Sequence, residues 1–469
     1  MTCKEQIRVI EASSIDHQPT DLELCRRIWQ LALPVLVQQA LIYLVGLSDT
    51  LITGWYLSAD DLAAVTVATY ISWFLGGLLA IVSAGASALV ARMVGAENMP
   101  EANRITGVSI SLGILVGFGI LGFGLMLAES IIIGMNMTGL AADAAITYFK
   151  IVVLAGPLIA IRIVGMTCLA GAGDTRTGSI AMCVVNLINI FLSWALVVGF
   201  MGLPKWGIAG VAAGTAIGEA VGGLLILIAL IIGRAGIRLQ KSILIPDWER
   251  TWRIVRISLP TVGETGTNIA GQIWFLALIN RLGAVSTASH GVAIKCESIA
   301  YLMVGGFAVP AGILAGQFLG ANRPDLARRA SNICLVLGNL LLALMGVALF
   351  CFDEEMFQLF LGSGKPELIE TGAPMLPLIA FAMPGLASIN VLAATLRGAG
   401  ATQTPWYLAI VGFFMVRIPI TFILARPVDG TFWALGLKGA WVGMLVDLNS
   451  RGLMLAIAYF RGNWTKTKV

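Results

Sequence analysis

Apolar stretches of about 20 residues, enough to cross a hydrocarbon core of about 30 Å as a helix, recur along the chain with polar punctuation between them. Twelve can be counted, at approximately 28–56, 62–91, 104–127, 145–172, 177–201, 207–233, 254–279, 286–315, 327–351, 371–397, 403–425 and 437–460. Twelve such runs in 469 residues leave too little polar sequence to cover them in water. The pattern predicts an all-α membrane protein with twelve transmembrane helices, numbered here as spans 1 to 12.

The chain also repeats itself. ALVARMVGAENMPEANR (88–104) after span 2 has a partner in ILAGQFLGANRPDLARR (313–329) after span 8. LAGAGDTRTG (169–178) after span 4 matches LRGAGATQTP (396–405) after span 10, and LALPVLV (31–37) opening span 1 matches ISLPTVG (257–263) opening span 7. The common offset divides the chain into two six-helix lobes. An even number of spans per lobe keeps both in one orientation, a parallel repeat about an axis along the membrane normal. The expected division is a cytoplasmic tail (1–25), an N-lobe (26–233), a basic linker (234–253), a C-lobe (254–460) and a second tail (461–469). Duplication of an immobile scaffold would leave the same trace, but two pseudo-symmetric lobes with polar residues between them are the usual architecture of rocking carriers.

Composition sharpens this picture. The chain is 58% apolar and only 12% charged, with a mean hydropathy of +0.89. Only Lys205, Arg281, Lys365, Arg426 and Lys438 fall on outer loops, whereas the tails and inner loops are rich in Arg and Lys, which places both termini in the cytoplasm. The net charge of +4 therefore lies against anionic lipid and calls for no nucleic acid. Residues 1–24 lack the apolar core and cleavage site of a signal peptide, so span 1 is retained. The seven cysteines, Cys3 among them, are scattered and read as small hydrophobes. His17 and His290 are too far apart in sequence to suggest a metal site. There is no His-Glu-x-x-His, G-x-S-x-G or Walker loop, so neither an enzyme nor a nucleotide-driven pump is expected. No cofactor is implied, and the energy source would be an ion gradient.

An ionisable group at mid-bilayer costs about 2.5–3.5 kcal/mol on insertion scales, so each needs a reason. Asp49 lies about seven residues from the outer end of span 1, roughly 10 Å deep, and Gln38 is three turns earlier on the same face. Span 5 carries Asn186, Asn189 and Ser193 as a polar stripe. Ser193 and Thr215 of span 6 both lie near 12 Å deep at about 1.5 Å per residue. One carboxylate with neutral oxygens at a single level suits a proton or a sodium ion. In the second half, Glu264, Asn268 and Gln272 share one face of span 7, and Glu297 of span 8 reaches their level. Those acids either face a cavity for an organic cation or pair with Arg417 or Lys295. Asp447 and Arg451, at i and i+4, read as a local ion pair, and Glu219 could belong to either set.

ALPVLVQQALIYLVGLSDTLITGWYL (32–57), the loops GAENMPEANR and GANRPDLARR, the LRGAGATQTP turn, RIPITFIL of span 11 and ASHGVAIKCESI entering span 8 together resemble a bacterial multidrug and toxin extrusion (MATE) transporter. The resemblance runs from about residue 26 to 460. It implies a cation site in the N-lobe, formed by an aspartate of span 1, a tyrosine of span 4, an asparagine and an acid of span 5, and a threonine of span 6. Asp49, Tyr148, Asn189 and Thr215 fall on those positions. Ser193 stands where the second acid is expected, which removes one negative charge and bears against tight sodium binding at Asp49. The resemblance also implies acids of the span 7 region in cation binding, while Leu386 occupies the place of an aspartate on span 10.

The sequence thus predicts a monomeric antiporter of the bacterial inner membrane that exports a cationic or amphipathic organic compound against entry of H+ or Na+. Gln38, Glu264, Asn268, Gln272 and Glu297 are candidates for a substrate or second cation site, and membrane lipid is the other expected partner. A lipid-linked precursor flippase of the same superfamily would want deep cations, of which Arg162, Lys295 and Arg417 are available. A metabolite exporter is a further alternative. A major-facilitator carrier is disfavoured because the loop after span 2 lacks that family's G-x-x-x-D-R-x-G pattern.

Overall fold

The computed structural model describes residues 19–135, 137–240, 247–361, 366–426 and 434–467, and of 72–75 and 360–361 the backbone only. Most of the expected N-terminal tail with Cys3 and His17, the middle of the linker, Lys365 and the last two residues lie outside the described residues.

The described chain is a succession of helices: α1 (Asp21–Tyr56), α2 (Ala59–Leu78), α3 (Ala80–Gly95), α4 (Met99–Gly134), α5 (Gly139–Leu154), α6 (Gly156–Gly171), α7 (Arg176–Val198) and α8 (Ile208–Ile232). There follow α9 (Trp248–Asn280), α10 (Ala284–Gly320), α11 (Pro324–Cys351), α12 (Asp353–Leu361), α13 (Pro366–Gly372), α14 (Leu376–Gly398), α15 (Gln403–Val411), α16 (Ile418–Leu424) and α17 (Gly436–Phe460). Among the described residues, nine runs have the length and apolarity to cross a bilayer, or ten when α5 and α6, bent by 58° at their junction, count as one. The two remaining spans, α9 and α17, are less apolar, carrying the stripe Glu264–Asn268–Gln272 and the polar residues Asp447, Asn449 and Arg451. The protein is an all-α membrane protein of twelve spans in two pseudo-symmetric six-helix lobes.

Several spans are broken where the sequence removes a backbone donor or a side chain. α5 gives way to α6 two residues before Pro157, and α13 joins α14 through a 3-10 turn containing Pro374. Proline has no N–H to continue the ladder. Between α15 and α16, Gly412–Arg417 forms a π-helical turn just before Pro419, an accommodation that is tolerated at membrane depth only where neighbouring protein covers the freed carbonyls.

The helices form two compact units, Leu33–Ser258 and Thr20–Ala32 with Leu259–Val469. The divisions fall inside α1 and α9, each just before the proline of the repeated LALP and ISLP segments, Pro34 and Pro260. In the first unit α4 packs on α6, with Gly117 so close to the Pro157 backbone that a Cβ there would lie 2.7 Å from Pro157 Cα. In the second unit α10 crosses α14 at Gly312 and Gly398, where a Cβ on Gly398 would overlap the Gly312 carbonyl. Small residues at such crossings replace the hydrophobic drive that lipid cannot supply. Large apolar side chains such as Phe123, Leu187, Leu344 and Phe422 are left exposed along the spans, as a lipid-facing surface requires.

Candidate functional site

The polar stripe of α7 faces α1. Ser179 Oγ donates to the Pro34 carbonyl at 2.5 Å, and Asn186 Nδ2 to the Leu41 carbonyl at 3.0 Å. Two turns further along α1, Ser48 Oγ donates to Asn189 Oδ1 at 2.8 Å. α8 reaches the same level through Gly210, Gly214, Gly218 and Gly222, a glycine at every fourth position on the face turned to α7. A Cβ on Gly218 would lie 2.9 Å from the Val185 carbonyl, and one on Gly214 would overlap Ser193 Oγ. This close approach sets Thr215 beside Asn189. We expect Gly214→Val to force the two helices apart, at about 1–3 kcal/mol for overpacking, and a lowered melting temperature of the purified protein checks it. An unchanged melting curve would show that the interface yields.

The result is a ring of donors around one carboxylate. Asp49, 1% exposed, accepts from Tyr148 Oη at 2.7 Å and Thr215 Oγ1 at 2.6 Å on Oδ2, and from Asn189 Nδ2 at 2.8 Å on Oδ1. Asn189 Nδ2 also lies 2.9 Å from Thr215 Oγ1 and 3.5 Å from Ser193 Oγ, which itself bonds the Val211 carbonyl at 3.2 Å. Ile52, Val65, Ala68, Val152 and Val211 pack with Tyr148 as an apolar wall. Every partner is neutral, so the group carries one formal negative charge when Asp49 is ionised. All five residues of the expected N-lobe set are brought together, and Ser48 is an addition that the sequence reading passed over although it adjoins Asp49. Among the described residues, no group of three or more His, Cys, Asp or Glu side chains is placed to hold a metal ion. A sodium ion here would rely on Asp49 with the hydroxyls of Tyr148, Ser193 and Thr215. The amide oxygen of Asn189 is turned away, toward Ser48.

The other deep acids meet arginine, with one exception. Glu219 of α8, one turn from Thr215, pairs with Arg162 of α6 at 2.5 Å. In the second unit Glu264 of α9 pairs with Arg397 of α14 at 2.9 Å, a partner hidden in the LRGAGATQTP repeat. Asp447 Oδ2 receives both Arg417 Nε at 2.8 Å and Arg451 Nη2 at 2.7 Å, so the i, i+4 pair is one arm of a triad. Both guanidinium groups lie against the ring of Phe413, at 4.6 and 4.8 Å. Arg451 also donates to Asn268 Oδ1 at 3.2 Å. Glu297 is 4% exposed and makes no hydrogen bond or ion pair among the described residues, but it lies within electrostatic reach of Arg417 and Arg451. Gln272 and Lys295 are exposed. Gln38 belongs to the first unit, where its Oε1 approaches Gly178, apart from the Asp49 ring.

A family model described as MatE matches residues 34–195 and 260–423, one stretch in each half. The probable multidrug resistance protein NorM of Thermotoga maritima is 28% identical over 447 residues, covering 95% of this chain and 94% of that protein. Multidrug resistance protein MdtK of Yersinia enterocolitica is 24% identical over 443 residues, 92% of this chain and 94% of that one. A multidrug resistance MATE family transporter in an outward-facing conformation superposes with a TM-score of 0.85 at 19% identity, over 97% of this chain and 100% of its own. A MOP superfamily transporter from Pyrococcus furiosus, described by the reverse polarity of its binding pocket, gives a TM-score of 0.84 at 19% identity, with 97% and 100% coverage. At that identity the likeness speaks for the fold.

Proposed function

The chain belongs to the MatE family of multidrug and toxin extrusion transporters, and from that premise we propose that it is a proton-coupled antiporter exporting cationic or amphipathic organic compounds, with Asp49 as the group that loads and releases the proton. The observation carrying this reading is the contrast among the deep acids. Glu219, Glu264 and Asp447 are neutralised by arginines within 3 Å, whereas Asp49 has only neutral donors. A buried carboxylate without a fixed counter-charge is poised for a mobile one. A proton needs a single oxygen of Asp49 and lets Thr215 turn its hydroxyl to the Val211 carbonyl, 3.2 Å away. Sodium would have to be held by the single charge of Asp49 and the neutral hydroxyls of Tyr148, Ser193 and Thr215, because the amide oxygen of Asn189 is turned toward Ser48.

Exchange follows from linkage. If loading Asp49 and loading an organic cation favour opposite states of the carrier, each displaces the other, and the gradient of one drives export of the other. Glu297, deep and not ion-paired although it lies within the field of Arg417 and Arg451, is our candidate for the substrate's positive charge. The names of the relatives support drug export as the activity. The asymmetric placement of Arg and Lys supports an inner-membrane protein with both termini in the cytoplasm. We read it as working as a monomer.

The test is efflux of a fluorescent organic cation from reconstituted vesicles under separately imposed gradients. A pH gradient alone is expected to drive efflux and a sodium gradient alone to leave it unchanged. The reverse pattern moves the coupling ion to sodium, and a response to neither removes the antiporter reading.

A further inference from the structure

The first unit carries a groove of about 460 Å³ between α4 and the first turns of α9, lined chiefly by Ser111, Ile114, Leu115, Phe118, Trp248 and Thr251. It lies away from the Asp49 ring and shares no residue with it. Leu115, Phe118 and Trp248 are 67%, 57% and 77% exposed, so the groove opens outward. Trp248 stacks on Trp252, with ring centroids 6.3 Å apart and planes 16° from parallel. Thr251 Oγ1 is enclosed without a hydrogen-bond partner.

Charge is arranged at one end only. Arg104 precedes Ser111, Leu115 and Phe118 by seven, eleven and fourteen residues, hence on the same face of α4. It is exposed and makes no hydrogen bond or ion pair among the described residues. It lies near enough to Asp247 to help hold that carboxyl below its usual range, behind the larger effects of the Glu249 backbone N–H and Arg250. The nearby acids Glu101 and Asp247 are both bonded to Arg250, the first at 2.8 Å. From that end inward, the exposed Arg104 guanidinium, beyond the lining of the groove and close enough to Asp247 to act on it, is followed by an indole pair with two hydroxyls and then an apolar floor. A phospholipid presents the complement in the same order: phosphate, ester-linked glycerol, acyl chain. Tryptophan prefers the headgroup level, and basic residues there attract anionic lipid.

We propose that this groove binds one anionic phospholipid, with the phosphate at Arg104, the glycerol esters beside Trp248 and Thr251, and one acyl chain laid along Leu115 and Phe118. The site would fix the start of α9 to the leaflet in which α4 begins.

Native mass spectrometry of the full chain, after equilibration with dioleoylphosphatidylglycerol or dioleoylphosphatidylcholine, tests it. The parent is expected to retain the phosphatidylglycerol in preference. Arg104→Gln is expected to reduce that preference about fivefold, the weight of one basic group near a membrane surface, with phosphatidylcholine unaffected. Leu115→Trp, which fills the groove from an exposed position, is expected to reduce retention of both lipids. Equal retention of the two lipids by the parent overturns the proposal, as does unchanged binding in both variants. So does lipid binding that emerges only after Ile243, Leu244 and Ile245 are replaced by serine, because the chain itself would then be the occupant.

Discussion

Replacing Asp49 by asparagine is expected to reduce gradient-driven efflux to the level of protein-free vesicles while the protein stays folded and inserted. The two halves of this expectation have separate causes. Asparagine cannot take up and release a proton, so the link between gradient and transport is cut at its source. Its shape, however, suits the ring. The new carbonyl can accept from Tyr148 and Thr215, and the new NH2 would face Asn189, whose amide can turn over because Ser48 Oγ both donates and accepts. One exchanged hydrogen bond is worth about 1 kcal/mol, and relief from burying a charge acts in the opposite direction. The measurement pairs vesicle efflux with a melting curve. Efflux at the parental rate would remove Asp49 from the mechanism, whereas loss of efflux with collapse of the melting curve would make it a structural residue.

The twelve spans and their repeat were legible because a bilayer demands long apolar runs and because duplication leaves matched turns, here at 169–178 and 396–405. The Asp49 ring was legible in part. Depth aligned Asp49, Ser193 and Thr215, since rise per residue converts position into height, and the polar stripe of span 5 brought in Asn189, but Tyr148 came only from the likeness to a family. Partner choice was not legible. Glu264 takes Arg397, more than a hundred residues away, because tertiary packing decides it, and nothing local in either segment signals the pair. The breaks within spans were half-visible. Pro157 and Pro374 announce them, whereas the π turn at Gly412–Arg417 depends on how Pro419 and the neighbouring α17 share the freed backbone. That turn brings Arg417 to Asp447 and Phe413 beneath both guanidinium groups, so a reading of the i, i+4 pair alone lacks the third member of the triad.

The same conservative exchange at Asp447 is expected to have the opposite outcome from that at Asp49. Asp447 is fully buried and, among the described residues, is the only carboxylate bonded to Arg417 and Arg451, which are 1% and 6% exposed. Asp447→Asn leaves two guanidinium groups against one phenyl ring with no bonded counter-charge. Glu297 acts on these guanidinium groups only at a distance and makes no hydrogen bond to either. Removing one partner of a buried ion pair typically costs about 3–5 kcal/mol, because the charge left behind is uncompensated. Thermal unfolding should therefore show Asp447→Asn as far less stable than Asp49→Asn. Replacing all three charges together, as Arg417→Met, Asp447→Leu and Arg451→Met, should recover most of the loss, because it removes the uncompensated charge and not the packing volume. If the single variant melts like the parent but fails to transport, Asp447 acts in the transport cycle and the triad is not a structural brace. If the triple variant is no more stable than the single one, contacts other than charge, such as the stacking of both arginines on Phe413, hold this part of the second unit together.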